Sequence, residues 1–155
     1  MPDVIDGFTG DYAWLDNNWP CVVSYLGIEY KSVDHGYYSL RCADPQQAEV
    51  IRLATNPYHA SSRTKEVVNW NIKGDLTLFR LLEAKFAHPE LMEQLQATGD
   101  AELIPTNTVH DNRMGHCICP RCEAVRPRNL IGEMLNLVRA CHRLNIERKL
   151  ANPFC

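Results

Sequence analysis

The residue in this chain whose setting most invites chemistry is a lysine where a helix would ordinarily carry a leucine. Read as a helix from Asp75, the stretch DLTLFRLLEAKF lines up Leu78, Phe79, Leu81, Leu82 and Phe86 in an apolar stripe, with Arg80 and Glu83 opposite. Lys85 falls on that stripe, seven residues after Leu78, four after Leu81 and three after Leu82, so its stem packs inward. Two readings follow. Either the stem covers core while the ammonium escapes to water, or the amine is desolvated and poised as a nucleophile.

A second constellation is Cys117-x-Cys119-x-x-Cys122, preceded by His116. Thiolates with an imidazole suit a tetrahedral zinc ion acting as a structural clamp, with the fourth ligand drawn from His116, His110, Cys141, His142 or another residue. The alternative is three reduced cysteines shaping a tight loop. Asp34-His35 and His110-Asp111 each pair a carboxylate with an imidazole at places expected to be element ends. Such pairs serve either as caps and turns or in acid–base chemistry. Cys21, Cys42 and Cys155 have no local partner for nucleophilic catalysis, and no phosphate-binding glycine loop or Ser-His-Asp order is present.

The elements that must position these groups are mostly helical. Residues 1–20 read as an ordered loop anchored by Trp14 and Trp19, as core residues or else as a stacking surface for a base, and Cys21–Tyr30 as a short hairpin turning at Gly27. Ser32 caps a helix running into GYYSLRCA, and Asp44 with Pro45 opens another that turns Ala48, Val50, Ile51, Leu53 and Ala54 inward. Pro57 starts a helix over YHASSRTKEVVNW, Asp75 caps the Lys85 helix, and PELMEQLQAT forms a further helix closed by Gly99. Glu102–Val109 holds a strand that Pro105 confines to an edge, and 110–128 is loop. From Asn129 a last helix presents Leu130, Met134, Leu137, Val138, Cys141 and Leu144 as its apolar face. The expectation is an α+β, predominantly helical chain with a small β element, one domain over 1–155 whose core spans about 8–140.

A chain of 155 residues can bury a core without staples, and a net charge of −3 excludes coating nucleic acid by electrostatics alone. Seven cysteines behind a start that is neither basic nor apolar point to a reducing cytoplasm. No apolar run approaches the ~18–20 residues of a membrane span.

Several stretches taken in order resemble the NADAR (YbiA-like) family of N-glycosidases. They are Leu15–Cys21 (LDNNWPC), Gly27–Tyr30, Val33–Arg41 (VDHGYYSLR), Trp70 followed by Ala84-Lys85-Phe86, Thr98-Gly99-Asp100, Asp111 with Met114-Gly115, Cys117 to Cys122, and Asn129–Gly132. The chain departs from the family pattern at Asp34, where a glutamate is usual, at Met114, where a tryptophan is usual, and near Pro105, where a glutamate often follows TGD.

The resemblance implies cleavage of a bond between a ribose C1 and an amine. The substrate would be ADP-ribosylated guanine in single-stranded DNA, or a ribosylated small molecule of riboflavin synthesis; a non-catalytic ADP-ribose-binding module is the alternative. It implies Lys85, Asp34 and Asp111 as catalytic groups, and substrate contacts from Asn17, Trp19, His35, Tyr38, Arg41, Arg63, Trp70, Met114, Gly115 and Asn129. Cys117, Cys119 and Cys122 remain the metal candidates, and no cofactor is required for the reaction.

Overall fold

The computed structural model describes residues 2–63 and 73–151, the side chain of Arg63 excepted. Along the chain run β1 (Val4–Asp6), β2 (Val23–Tyr25), β3 (Ile28–Tyr30), α1 (Val33–Leu40), α2 (Pro45–Leu53), α3 (Pro57–Arg63) and α4 (Gly74–Lys85). After them come α5 (Pro89–Ala97), β4 (Glu102–Ile104), β5 (Thr106–Asn107), β6 (His116–Cys117) and α6 (Leu130–Ala151). The architecture is α+β and helix-rich with small β elements, as the sequence leads one to expect. The expected run of α3 beyond Arg63 lies outside the described residues. No helix among the described residues is long and apolar enough to cross a membrane. Contacts divide the chain into two compact units, Asn17–His88 and the remainder on either side of it.

In the central unit β2 and β3 form the expected hairpin, with Leu26 and Gly27 both at positive φ, which is what a two-residue turn between twisted strands demands. Ser32 caps α1 by accepting the His35 N–H, and Asp44 caps α2 by accepting the Gln46 N–H. α1 packs against α2, α3 and α4, and α4 also covers β2. Gly36 permits the α1–α4 contact: a Cβ there would stand 2.7 Å from Leu81 Cδ2. Two expectations are corrected. The N-cap of α4 is Lys73, and Asp75 lies in its first turn, facing the helix dipole. On α2 only Ile51 is buried; Val50 and Leu53 face outward with His59 along a shallow surface cavity.

The flanking unit is built on a strand that the sequence does not announce. β1 lies within the stretch expected to be loop and pairs in parallel with β4, Val4 opposite Glu102 and Asp6 opposite Ile104. A 3-10 turn over Gly10–Leu15 follows it and buries Trp14 and Leu15. β5 and β6 form a second parallel pair, so 110–128 is loop only in part. α6 packs on β4 and α5. Its buried face is Leu130, Gly132, Met134, Leu135, Val138 and Arg139, whereas Leu137, Cys141 and Leu144 are exposed. The true inner face is thus rotated away from the expected stripe, because Leu135 and Arg139, four residues apart, both lie on it.

Candidate functional site

Lys85 ends α4 with a relative exposure of 0 %, and among the described residues it heads the fully buried side chains by volume. The snorkelling reading is therefore excluded, since the ammonium never reaches water. Around it the stripe Thr77, Leu78, Leu81 and Leu82 is buried, and Nζ lies 5.4 Å from the Phe86 ring centroid, within cation–π range. Cys21 feels the same group. Burial pushes its thiol up from the ordinary value, and the positive charge of Lys85 pulls against that shift.

Further polar groups of the central unit lie on α1 and the segment before it. The Asp34 N–H donates to the Asn17 carbonyl at 3.0 Å, which fixes the Asn17 backbone against the helix start. Asn17 Oδ1 is the one buried side-chain polar atom among the described residues without a hydrogen-bond partner, an acceptor held in place with nothing to accept. One turn on from Asp34, Tyr38 shares its face. Burial pushes the Tyr38 hydroxyl far up, and the charge of Asp34 adds to the shift. Its ring packs edge-on against Tyr37 and Tyr58. Arg41 Nη1 donates to the Tyr37 hydroxyl at 3.0 Å, with the guanidinium over the Tyr37 ring.

His35 is turned inward. Its Nε2 lies 2.8 Å from the Ala54 carbonyl and its Nδ1 2.7 Å from Ser32 Oγ. A carbonyl only accepts, so Nε2 carries a proton, and in the uncharged ring that burial favours Nδ1 receives the serine hydroxyl. Burial lowers its pKa, the Ala54 carbonyl opposing and Lys31 reinforcing. Trp19, expected as a core anchor, is 39 % exposed and presents its ring at the surface. Trp70 and the Arg63 side chain lie outside the described residues.

In the flanking unit, Asp111 closes a turn: its Oδ1 accepts from the backbone N–H of Arg113 and Met114. Met114 is half-buried, and Gly115 is required by a close pass, since a Cβ would sit 2.3 Å from the Pro105 carbonyl oxygen. Asn129 joins α6 to β4, with Nδ2 donating to the Leu103 carbonyl at 2.9 Å and Oδ1 accepting from Gly132 N–H. Beside it opens a cavity of about 290 Å³ whose lining includes Glu102, Glu133, Asn136 and Arg139. Arg139 is a buried group that the sequence pattern does not single out. It donates to Thr98 Oγ1, the Ala101 carbonyl and Asn136 Oδ1, and burial lowers its pKa. Its spacing from Leu135 is the available signal.

Four further side chains converge in this unit. His110, Cys117, Cys119 and Cys122 bring their ligand atoms within 4.8 Å of one another, a set that could hold a metal ion. Of the fourth-ligand candidates, His110 is the one brought to the cysteines.

The chain superposes on the NMR structure of the Escherichia coli protein YbiA with a TM-score of 0.74 at 23 % identity, covering 96 % of this chain and 89 % of that one. That likeness fixes the fold. No family model matches the sequence. Nor does any curated protein. The YbiA-like fold thus rests on the course of the backbone, and the chemistry must be argued from the side chains.

Proposed function

We propose that this protein is an N-glycosidase that hydrolyses the bond between a ribose C1 and an amine, with Lys85 as a Schiff-base nucleophile. The observation that carries the reading is the complete burial of Lys85 at the end of an apolar helix face. An amine held inside the protein at that place is fixed in position, and its deprotonated form is the nucleophile. In the opened glycosylamine, C1 is doubly bonded to the substrate nitrogen. Lys85 Nζ adds to C1 to give an aminal; the two Nζ protons pass to the substrate nitrogen, the C1–N bond to it breaks, and it leaves as a free amine as the lysine imine forms. Water then adds to the lysine imine, releasing the sugar aldehyde and restoring Lys85. Atoms balance: one water is consumed, and one amine and one sugar are produced.

Asp34, at the start of α1, is the carboxylate that carries a proton from Nζ to the departing nitrogen. Asn17 Oδ1, a buried acceptor in want of a donor, suits a ribose hydroxyl, and exposed Trp19 suits stacking on a base. The preferred substrate is ADP-ribosylated guanine in single-stranded DNA, as the resemblance of motifs implies; a ribosylamino pyrimidine is the alternative substrate. A second reading, a non-catalytic ADP-ribose-binding module, is favoured by Asp34 and Met114 standing where glutamate and tryptophan are usual.

Offering both substrates side by side, with borohydride in a parallel set, tests the reading. Release of ADP-ribose or ribose phosphate together with a reduced adduct on Lys85 is expected. Full turnover in Lys85→Ala with no adduct would overturn the covalent step. Binding of ADP-ribose without release from either substrate would establish the reader instead.

A further inference from the structure

The cysteine cluster of the flanking unit takes no part in the reaction above, and its geometry has a use of its own. His110 Nδ1 lies 3.3 Å from Cys119 Sγ and 3.4 Å from Cys122 Sγ, and no two of the four ligand atoms are more than 4.8 Å apart. A tetrahedral zinc ion with Zn–S near ~2.3 Å and Zn–N near ~2.1 Å needs ligand atoms separated by about 3.6–3.8 Å. The four atoms already bracket that spacing.

The backbone is shaped to deliver them. Pairing of β5 with β6 brings Asn107 opposite Cys117, and the Ile118 N–H extends the ladder to the Asn107 carbonyl. Asn112 Oδ1 accepts the Cys117 N–H at 3.0 Å. A 3-10 turn over Pro120–Cys122, closed by Cys122 N–H on the Cys119 carbonyl, folds the second pair of cysteines together. His110 stands at φ 64, in the left-handed region. Asn107 Oδ1 steadies it by accepting from the N–H groups of Val109 and Asp111, on either side. Three separate pieces of chain thus aim one imidazole and three thiols at a common point.

From this convergence we infer that His110, Cys117, Cys119 and Cys122 form a structural zinc centre. A disulfide would use two of the thiols and leave the third and the imidazole without a task. Hard cations prefer oxygen ligands, whereas a soft sulfur-rich set with one nitrogen suits zinc. Four protein ligands close the coordination sphere and leave no position for water or substrate, so the ion acts as a clamp. What it clamps is the segment from Asn107 to Cys122, including the Asp111 turn.

The test uses the full chain purified under reducing conditions. About one zinc per chain is expected by elemental analysis, and X-ray absorption at the zinc edge should show three sulfur neighbours and one nitrogen. Cobalt in place of zinc should give thiolate charge-transfer bands together with the visible absorption of a tetrahedral site. Cys119→Ser and His110→Ala should weaken cobalt binding at least tenfold, while Cys141→Ser and His142→Ala leave it unchanged. Should a ligand variant fail to fold, the wild-type absorption spectrum decides alone. A wild-type chain that carries no zinc and takes up no cobalt, or an oxygen-rich metal shell, would overturn the inference.

Discussion

A lysine with no part of its side chain in water is costly to keep, because folding must remove an ammonium from solvent or strip its proton. Lys85→Met keeps an unbranched stem of similar length and removes the amine. If Lys85 is the nucleophile, turnover of an ADP-ribosylated substrate should fall by about 10³-fold or more while the chain stays folded. A variant that melts early and turns over normally would make Lys85 a packing residue. The same substitution reports on Cys21, whose thiol is raised by burial and lowered by Lys85. Removing the positive charge removes the opposing effect, so the thiolate becomes scarcer. Alkylation of Cys21 at mildly alkaline pH should be slower in Lys85→Met than in the wild type. Periodicity places Lys85 on the apolar stripe but cannot choose between snorkelling and burial. That choice depends on what covers the last turn of α4, which local spacing does not encode. Trp19 shows the same gap from the other side, an aromatic whose type says core and whose position says surface.

Element ends are the most legible part of the chain, because caps obey local rules. Ser32 and Asp44 do what their types predict, and the Ser32 cap extends through His35 to the Ala54 carbonyl just after α2. That chain of bonds needs a neutral ring. Since burial holds the folded pKa below the ordinary 6.5, the unfolded state binds the extra proton first as pH falls. Stability should therefore drop as pH goes down from about 6.5 toward the depressed value, and be fully present above it. Urea denaturation at pH 7.5 and 5.5 should show the wild type losing more than His35→Gln, which has no ring to titrate; equal losses would put the acid sensitivity elsewhere. Glycines carry the element contacts that no periodicity reveals. A Cβ on Gly132 would stand 2.1 Å from the Leu103 carbonyl oxygen, where α6 meets β4, and backbone cannot step aside. Gly132→Ala should cost about 2–4 kcal/mol in denaturant titration. Gly36→Ala, where the close neighbours are the side-chain end of Leu81 and the Tyr30 ring rather than backbone, should cost less, about 1 kcal/mol.

At the scale of the whole molecule, helix content can be read from the sequence, but the assembly of the flanking unit cannot. That unit joins the residues up to Asp16 with those from Pro89 onward, and β1 pairs with β4 across the entire intervening stretch of chain. A three-residue strand shows too little alternation to register as one, and its partner lies far outside any local window. The strand still has one residue that betrays it. Ile5 is 3 % exposed and stands opposite Leu103, whereas Val4 beside it is 46 % exposed. If the pairing holds the two stretches of the unit together, Ile5→Ala should cost about 2–4 kcal/mol in global denaturation, the usual range for emptying a buried aliphatic site. Val4→Ala, on the same strand and facing solvent, should stay within about 0.5 kcal/mol. Equal small costs for the two would mean that β1 merely decorates the edge of β4. A large cost confined to Ile5 would mean that the unit is closed by a contact between stretches far apart in sequence, the kind that a reading along the chain is least able to see.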